Sequence, residues 1–340
     1  MSYTSHAFPQ KERTVCETIS VILPTYNVEK LISYTLESVF QQTLQPLEIL
    51  VIDDGSTDGT LEVLKQYGSR IKLFTQKNSG VAAARNFLVK QAKGSLISLL
   101  DSDDIWHPWF LEHAVKAANQ FPEAQAFFAG HVGFVGDKGH TWEMKPGRSE
   151  LLTGPQLFQR LNRDPGAFEC ASCFTARTKA ITDLGDQPFQ VDSCEDFYCY
   201  SLLSLRHSMV YLHEPLLAYR IRPTSLSANR VTGLRARVNV YERLAPHFQE
   251  RNGFPGFFAS HRRYYAKYLL GDGQIAEGRK QLRQSLGTSL TPRSLVKSLG
   301  MLGMTYLPRT FQPKWPTTYR ADGADSVVPA LVSEPVDLET

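Results

Sequence analysis

A mostly parallel α/β sheet with helices on both faces, followed by a helical C-terminal region, is the fold class this sequence predicts. Short apolar runs alternate with helical patterns from residue 19 to about 130. These runs are apolar at successive positions rather than at every second one, as strands covered on both faces require. From about Val231 to Leu307 the pattern turns helical, with arginines and aromatics interleaved in "HRRYYAKYLL".

Each element has its own warrant. "ISVILPTYN", Ile19 to Asn27, is β-branched and apolar and is stopped by Pro24. "VEKLISYTLESVFQQT" carries Leu31, Leu36, Val39 and Phe40 near helical spacing. "LEILVIDDGS" is a second strand that ends in acids and glycine, and "TDGTLEVLKQYG" is a helix opened by Thr57 or Asp58 and closed at Gly68. "IKLFTQ" and "SLISLLDSDD" are the third and fourth strands, with the helix "GVAAARNFLVKQAKG" between them. Residues 131 to 228 are less periodic and include a Gly-rich stretch around Gly133 to Gly139, "ECASCF", "VDSCEDF" and "LLAYRIRPTSLS". After Phe311 the chain becomes Pro-rich, then acidic and small, and reads as a disordered tail.

Composition narrows the class. With 340 residues, 42% hydrophobic and 21% charged, the chain can bury a large core and is not of the disordered kind. "MSYTSHAFPQKERT" lacks a signal-peptide core, and no run is long enough to span a bilayer, so a cytoplasmic protein is expected. Five cysteines fit reduced thiols, and the C-x-x-C of Cys170 and Cys173 reads as packing rather than zinc. The net charge of +3 conceals an asymmetry: Arg230 to Arg320 holds sixteen Lys/Arg against four Asp/Glu. Such a patch suits a solvated helical surface or a peripheral contact with the inner face of an anionic membrane. Nucleic acid is not expected, because stacking and groove-reading motifs are absent.

Three strand ends carry the unusual chemistry: Pro24-Thr25-Tyr26-Asn27, Asp53-Asp54-Gly55-Ser56 and Asp101-Ser102-Asp103-Asp104. In open α/β sheets ligands bind beyond the carboxyl ends of the strands. A dinucleotide fingerprint is missing after the first strand, which argues against a nicotinamide-dependent oxidoreductase, and the Gly-x-Gly of Gly271 and Gly273 lies between helical segments. The three carboxylates of the fourth strand end suit a helix cap, a solvated turn or a divalent metal. On the metal reading, Asp101 and Asp103 share one face of an extended segment and offer hard oxygen ligands to Mg²⁺ or Mn²⁺.

"SVILPTYN", "ILVIDDGSTDGT", "NSGVAAARN", "LLDSDDIWHP" and "CEDF", in this order, resemble the inverting family 2 glycosyltransferases of GT-A fold, a Rossmann-like architecture. The resemblance covers Ile19 to about Ser227. It implies a nucleotide-diphosphate sugar donor, with UDP favoured, a glycan, lipid-linked or protein-linked acceptor, and a divalent Mn²⁺ or Mg²⁺. Residue by residue, it implies that Asp101 and Asp103 hold the metal, with Ser102 between them on the donor side. Pro24, Thr25, Tyr26 and Glu29 would border the nucleoside pocket, Asp53 would accept a hydrogen bond from the base, and Asp54 would brace the turn of Gly55 and Ser56. Asn78 and Gly80 would close the base side, and Arg85 would either reach the diphosphate or pin the acidic turn. Asp196 would be the catalytic base, with Glu195 beside it towards the acceptor. Arg222 stands where many relatives carry a histidine; it either neutralises the leaving diphosphate or is a surface residue. A catalytically silent sugar-nucleotide-binding module of the same fold is the alternative. The expected organisation is an N-terminal extension (1–17), a donor half (18–130), an acceptor half (131–228), a helical region (229–310) and a tail (311–340).

Overall fold

The computed structural model describes residues 16–136, 149–153, 156, 170–190, 193–222, 230–248, 254–288 and 291–315. The expected tail beyond residue 315 and most of the N-terminal extension lie outside them, as do Val191 and Asp192 of "VDSCEDF" and the "PTSLS" of "YRIRPTSLS".

Four parallel strands form one half of the sheet in the order β3-β2-β1-β4: β1 (Ile19–Thr25), β2 (Glu48–Asp53), β3 (Lys72–Thr75) and β4 (Leu96–Leu99). Every residue of β1, β2 and β4 is buried, as their predominantly apolar runs require, and the polar Ser20 donates to Glu48 at 2.7 Å. Successive residues of β1 serve opposite faces. Ile22 packs with Ala84, Leu88 and Val89 of α3 (Val81–Gln91), whereas Val21 and Leu23 pack with Leu36 and Val39 of α1 (Ile32–Phe40) and Leu64 of α2 (Thr60–Lys65). Asp58 does cap α2, but from one residue before the N-cap Gly59: its carboxylate accepts from the Thr60 amide at 3.0 Å.

The second half of the sheet is mixed. β5 (Ile105–Trp106), α4 (Phe110–Gln120), β6 (Ala124–Phe134), β7 (Ser149–Leu152), β8 (Phe174–Arg177), α5 (Thr178–Thr182), α6 (Glu195–Ser204) and β9 (Ser208–Arg220) follow in chain order. β8 joins β4 to β6 antiparallel to both, and β6 pairs β9 in parallel. The predominantly parallel sheet is therefore the N-terminal half only. The boundary expected at residue 130 falls inside β6, so both halves share one sheet. Glu17, the last residue of the expected N-terminal extension, accepts from Arg177 at 2.6 Å.

Four helices complete the described chain: α7 (Arg230–Phe248), α8 (Phe254–Gly271), α9 (Ile275–Gly287) and α10 (Pro292–Met304). Tyr241 and Leu244 of α7 and Phe258, Tyr265 and Leu269 of α8 extend the core that Phe197 and Tyr200 of α6 share with α3. Among the described residues, no helix is long and apolar enough to cross a membrane.

At the carboxyl end of β2, Gly55 is at φ +73°, and a Cβ there would sit 2.8 Å from the Asn78 amide nitrogen. Gly68, at φ +53°, faces open space. Gly55→Ala is therefore expected to cost about 1–3 kcal/mol or more, and Gly68→Ala only the conformational part of that. Urea denaturation of both variants checks the difference, and equal midpoints would refute it.

Candidate active site

The strand order reverses at β1, between β2 and β4, so the crevice above their carboxyl ends is where a ligand binds in such a sheet. Thr25, Asp53 and the turn after β4 meet there. Thr25 is buried and donates to the Ile52 carbonyl at 3.0 Å, and Pro24 is buried on the same strand. Tyr26 is exposed, 46%, at the mouth. Asn27, at φ 52°, turns the chain and receives the Thr57 amide on its side-chain oxygen at 2.8 Å, and Glu29 accepts from the Gly59 amide at 3.2 Å.

The two acids after β2 divide their work differently from expectation. Asp54 does not brace its own turn: it accepts from the amides of Ser79 and Gly80, both at 2.8 Å, and from the Gln76 side chain at 2.7 Å. Its buried carboxylate thus fixes the loop Asn78–Gly80 that opens α3, where Gly80 sits at φ +84°. Asp53 receives the Ser56 amide on Oδ2 at 3.2 Å. Its other oxygen, Oδ1, is buried and has no hydrogen-bond partner among the described residues. A buried carboxylate oxygen left unpaired is costly, so it points to a donor that arrives with a ligand.

The acidic cluster is a turn and not an extended segment. The Asp104 amide donates to the Asp101 carbonyl at 3.2 Å, which reverses the chain between β4 and β5. Asp101 and Asp103 are therefore not alternate residues on one strand face. Asp104 is fully buried and structural: it receives the Ser172 hydroxyl at 2.6 Å and the Arg220 amide at 2.9 Å, with the Cys170 thiol at 3.4 Å. Burial, then Asp103 and Asp101, push its carboxyl well above the usual range. Ser172 also accepts the Asp101 amide at 2.9 Å, so one hydroxyl ties both ends of the turn. Ser102 is buried, and its carbonyl accepts from Thr35 at 3.0 Å.

Two arginines hold the outward acids. Arg85 is buried and donates to Asp101 Oδ1 with one nitrogen and to Glu195 Oε1 with another. It pins the acidic turn. Burial opposes its charge, but Asp101, Glu195 and Asp196 outweigh that and drive its pKa up. Arg222 donates to Asp103 Oδ2, so it is not a bystander on the surface. Asp103 is raised by burial and partly restored by Arg222.

Glu195 and Asp196 open α6, whose N-terminal amides favour negative charge. Cys194 precedes them in the left-handed conformation, φ 60°, an unfavourable geometry for a side chain with a Cβ. Asp196 accepts the Phe197 amide at 2.7 Å, and burial followed by the adjacent Glu195 raises its carboxyl to about 8, against the pull of Arg85. Glu195 is raised too, by burial, with Arg85 opposing. Ser172 and Arg220, whose guanidinium donates to the Asp103 carbonyl at 2.7 Å, are site residues that motif reading missed. Their only sequence signal was a serine within "ECASCF" and an arginine within "AYRIR".

The cysteines are free, and Cys170, Cys173 and Cys199 are buried. The oxygens of Asp101 and Asp104 and the Cys170 sulfur lie within 4.8 Å of one another. Cys170 is a poor ligand there, because burial pushes its thiol well up. Asp101 and Asp103 fit a hard cation better. Each gives one oxygen to an arginine, and its other oxygen has no protein partner among the described residues. Asp101, Asp103, Asp104, Glu195 and Asp196 meet Arg85, Arg220 and Arg222 at this point, and a dication would balance the excess of acids over arginines.

The family model described as Glycosyl transferase family 2 matches residues 20–185. Residues 20–185 belong to glycosyltransferase family 2. The fold of this family 2 domain is GT-A: the S. aureus TarS 1–349 structure in complex with UDP-GlcNAc superposes with a TM-score of 0.62 over 85% of this chain and 87% of that one, at 19% identity. The mannosyltransferase PcManGT from Pyrobaculum calidifontis, in complex with GDP-Man and Mn²⁺, gives 0.51 over 88% and 83% at 17% identity. In sequence, 90 residues are 49% identical to the Escherichia coli UDP-Glc:alpha-D-GlcNAc-diphosphoundecaprenol beta-1,3-glucosyltransferase WfgD, 26% of this chain and 36% of that protein. The chain spans less than half the length of the curated relatives it matches.

Proposed function

We propose that the chain transfers a glycosyl unit from a UDP-sugar to a hydroxyl of a lipid-linked or polysaccharide acceptor, with inversion and with the assistance of Mn²⁺ or Mg²⁺. The observation that carries the reading is the Arg85 bridge, which ties the Asp101 turn, 16 residues on, to the Glu195–Asp196 helix start, 110 residues on. UDP is favoured because WfgD is named for a UDP-Glc donor and the TarS structure holds UDP-GlcNAc. The same relative's lipid-linked acceptor supports that acceptor class.

On this reading Asp53 Oδ1 accepts the uracil N3–H, and Thr25 and Tyr26 border the base. Asn78 and Gly80, held by Asp54, close its other side. Asp101 and Asp103, through their open oxygens, would hold the cation. Bound there, a divalent cation supplies Lewis-acid neutralisation of the departing diphosphate. Arg222 adds positive charge on the same side. Asp196 takes the proton of the acceptor hydroxyl as the oxygen attacks the anomeric carbon opposite the leaving group, and Glu195 orients the acceptor.

Calorimetric titration with UDP tests the donor half. With Mn²⁺ the wild type is expected to bind, in EDTA to bind more weakly, and Asp53→Ala to lose about ten- to a hundredfold in affinity. Unchanged affinity in Asp53→Ala, or no UDP binding with Mn²⁺ present, would refute the assignment.

A further inference from the structure

α10 is built with its apolar face outward. Its inward side presents hydroxyl groups to arginines: Ser294 and Ser298 accept from Arg263 at 2.8 and 3.2 Å, and Thr305 accepts from Arg279 at 3.0 Å. Ser298 and Thr305 are buried, and only Met301 and Leu302 add apolar contact to the small core of Ala266, Leu270 and Leu282. On the outward side, Leu295, Val296 and Leu299 lie within one helical stripe, exposed by 40%, 67% and 51%. Beyond the helix Leu307 and Phe311 are also exposed, Phe311 by 73%, whereas Tyr306 packs against Arg279 and accepts from Arg283 at 2.8 Å. A helix that only covered the catalytic domain would have the opposite arrangement.

The charge of this segment is one-sided. Residues 291–315 contain Arg293, Lys297, Arg309 and Lys314 and no acid. Arg293 and Lys297 are exposed beside the apolar stripe. An apolar stripe rimmed by cations fits a surface that offers acyl chains behind a layer of negative charge.

We propose that α10 and the turn through Phe311 form an interfacial anchor that seats the chain on an anionic bilayer. The side chains of Leu295, Val296, Leu299 and Phe311 enter the acyl boundary, and Arg293 and Lys297 meet the phosphates. A lipid-linked acceptor would be met at such a surface, but the inference does not require the glycosyl-transfer reading, because α10 lies outside the residues that form the active site.

Vesicle flotation of the full chain tests it, with phosphatidylcholine vesicles compared with vesicles that carry phosphatidylglycerol. The wild type is expected to float with the anionic vesicles at low salt, to be partly released at high salt, and to bind neutral vesicles about tenfold less. Val296→Glu and Phe311→Ser, both at well-exposed positions, are each expected to reduce flotation several-fold with UDP binding unchanged. Failure of the wild type to float at low salt, or flotation of both variants like wild type, would overturn the proposal. Concentration-dependent self-association without lipid, abolished by Val296→Glu, would overturn it in favour of a second copy of the chain.

Discussion

Arg85→Met is expected to lose about 3–5 kcal/mol of stability, because it leaves two carboxylates without their shared cation. Glu195 bears most of the cost. Its side chain is 7% exposed, whereas that of Asp101 is 32% exposed and can turn to solvent. Arg85→Lys recovers little, since one ammonium cannot span two carboxylates as the planar guanidinium does. A double variant, Arg85→Met with Glu195→Gln, removes the stranded charge and is expected to regain much of the loss. Chemical denaturation of Arg85→Met, Glu195→Gln and the double variant beside wild type gives the coupling directly. A single variant within 1 kcal/mol of wild type, a threshold set at roughly the worth of one exposed ion pair, would contradict the bridge.

Asp196→Asn is expected to lower kcat by about 10²–10⁴-fold, the usual worth of a positioned general base. The carboxylate is the active form, and its pKa in the free protein is raised to about 8. kcat/KM is therefore expected to be low near pH 6, to rise with pH and to level above about 8. Stability runs the other way. The folded protein holds the Asp196 proton from the ordinary value of 3.8 up to about 8, while the unfolded chain releases it, so stability falls as pH rises through that window. Asn keeps an acceptor for the Phe197 amide and cannot ionise. The variant is accordingly expected to match wild type only below about pH 4 and to be increasingly more stable than it from there up to about pH 8, with the full difference at pH 9. A variant that is both inactive and unstable at pH 9 would instead mark Asp196 as a structural acid.

The first half of the sheet was legible because β1, β2 and β4 are buried on both faces, and Val21–Leu23 and Ile49–Ile52 are apolar at every position. Strand ends that carry Asp53 and Asp101 then pointed to the crevice. The mixed half was harder to read. β6 and β8 are short of periodic pattern, and β6 runs through Gly130 and Gly133, where the chain passes close to β9. The Asp101–Asp104 turn was misread as extended because alternation of acids imitates a strand period. Its true geometry depends on Ser172 and Arg220, which are 71 and 116 residues away along the hydrogen bonds they make. No local pattern encodes such a contact. The stretch Leu295 to Leu307 reads in sequence either as a cap packed on the catalytic domain or as a basic membrane contact, and which side of α10 faces outward shows only once the arginines behind it are placed.

Release of UDP from UDP-glucose and UDP-GlcNAc by the full chain, with Mn²⁺ and then with EDTA, tests the central claim most directly. GDP-mannose serves as the comparison donor, and Asp196→Asn is assayed in parallel. The account predicts release from a UDP-sugar that needs the cation and falls by the factor expected for a lost base. Release that persists in EDTA and is equal in Asp196→Asn would contradict it.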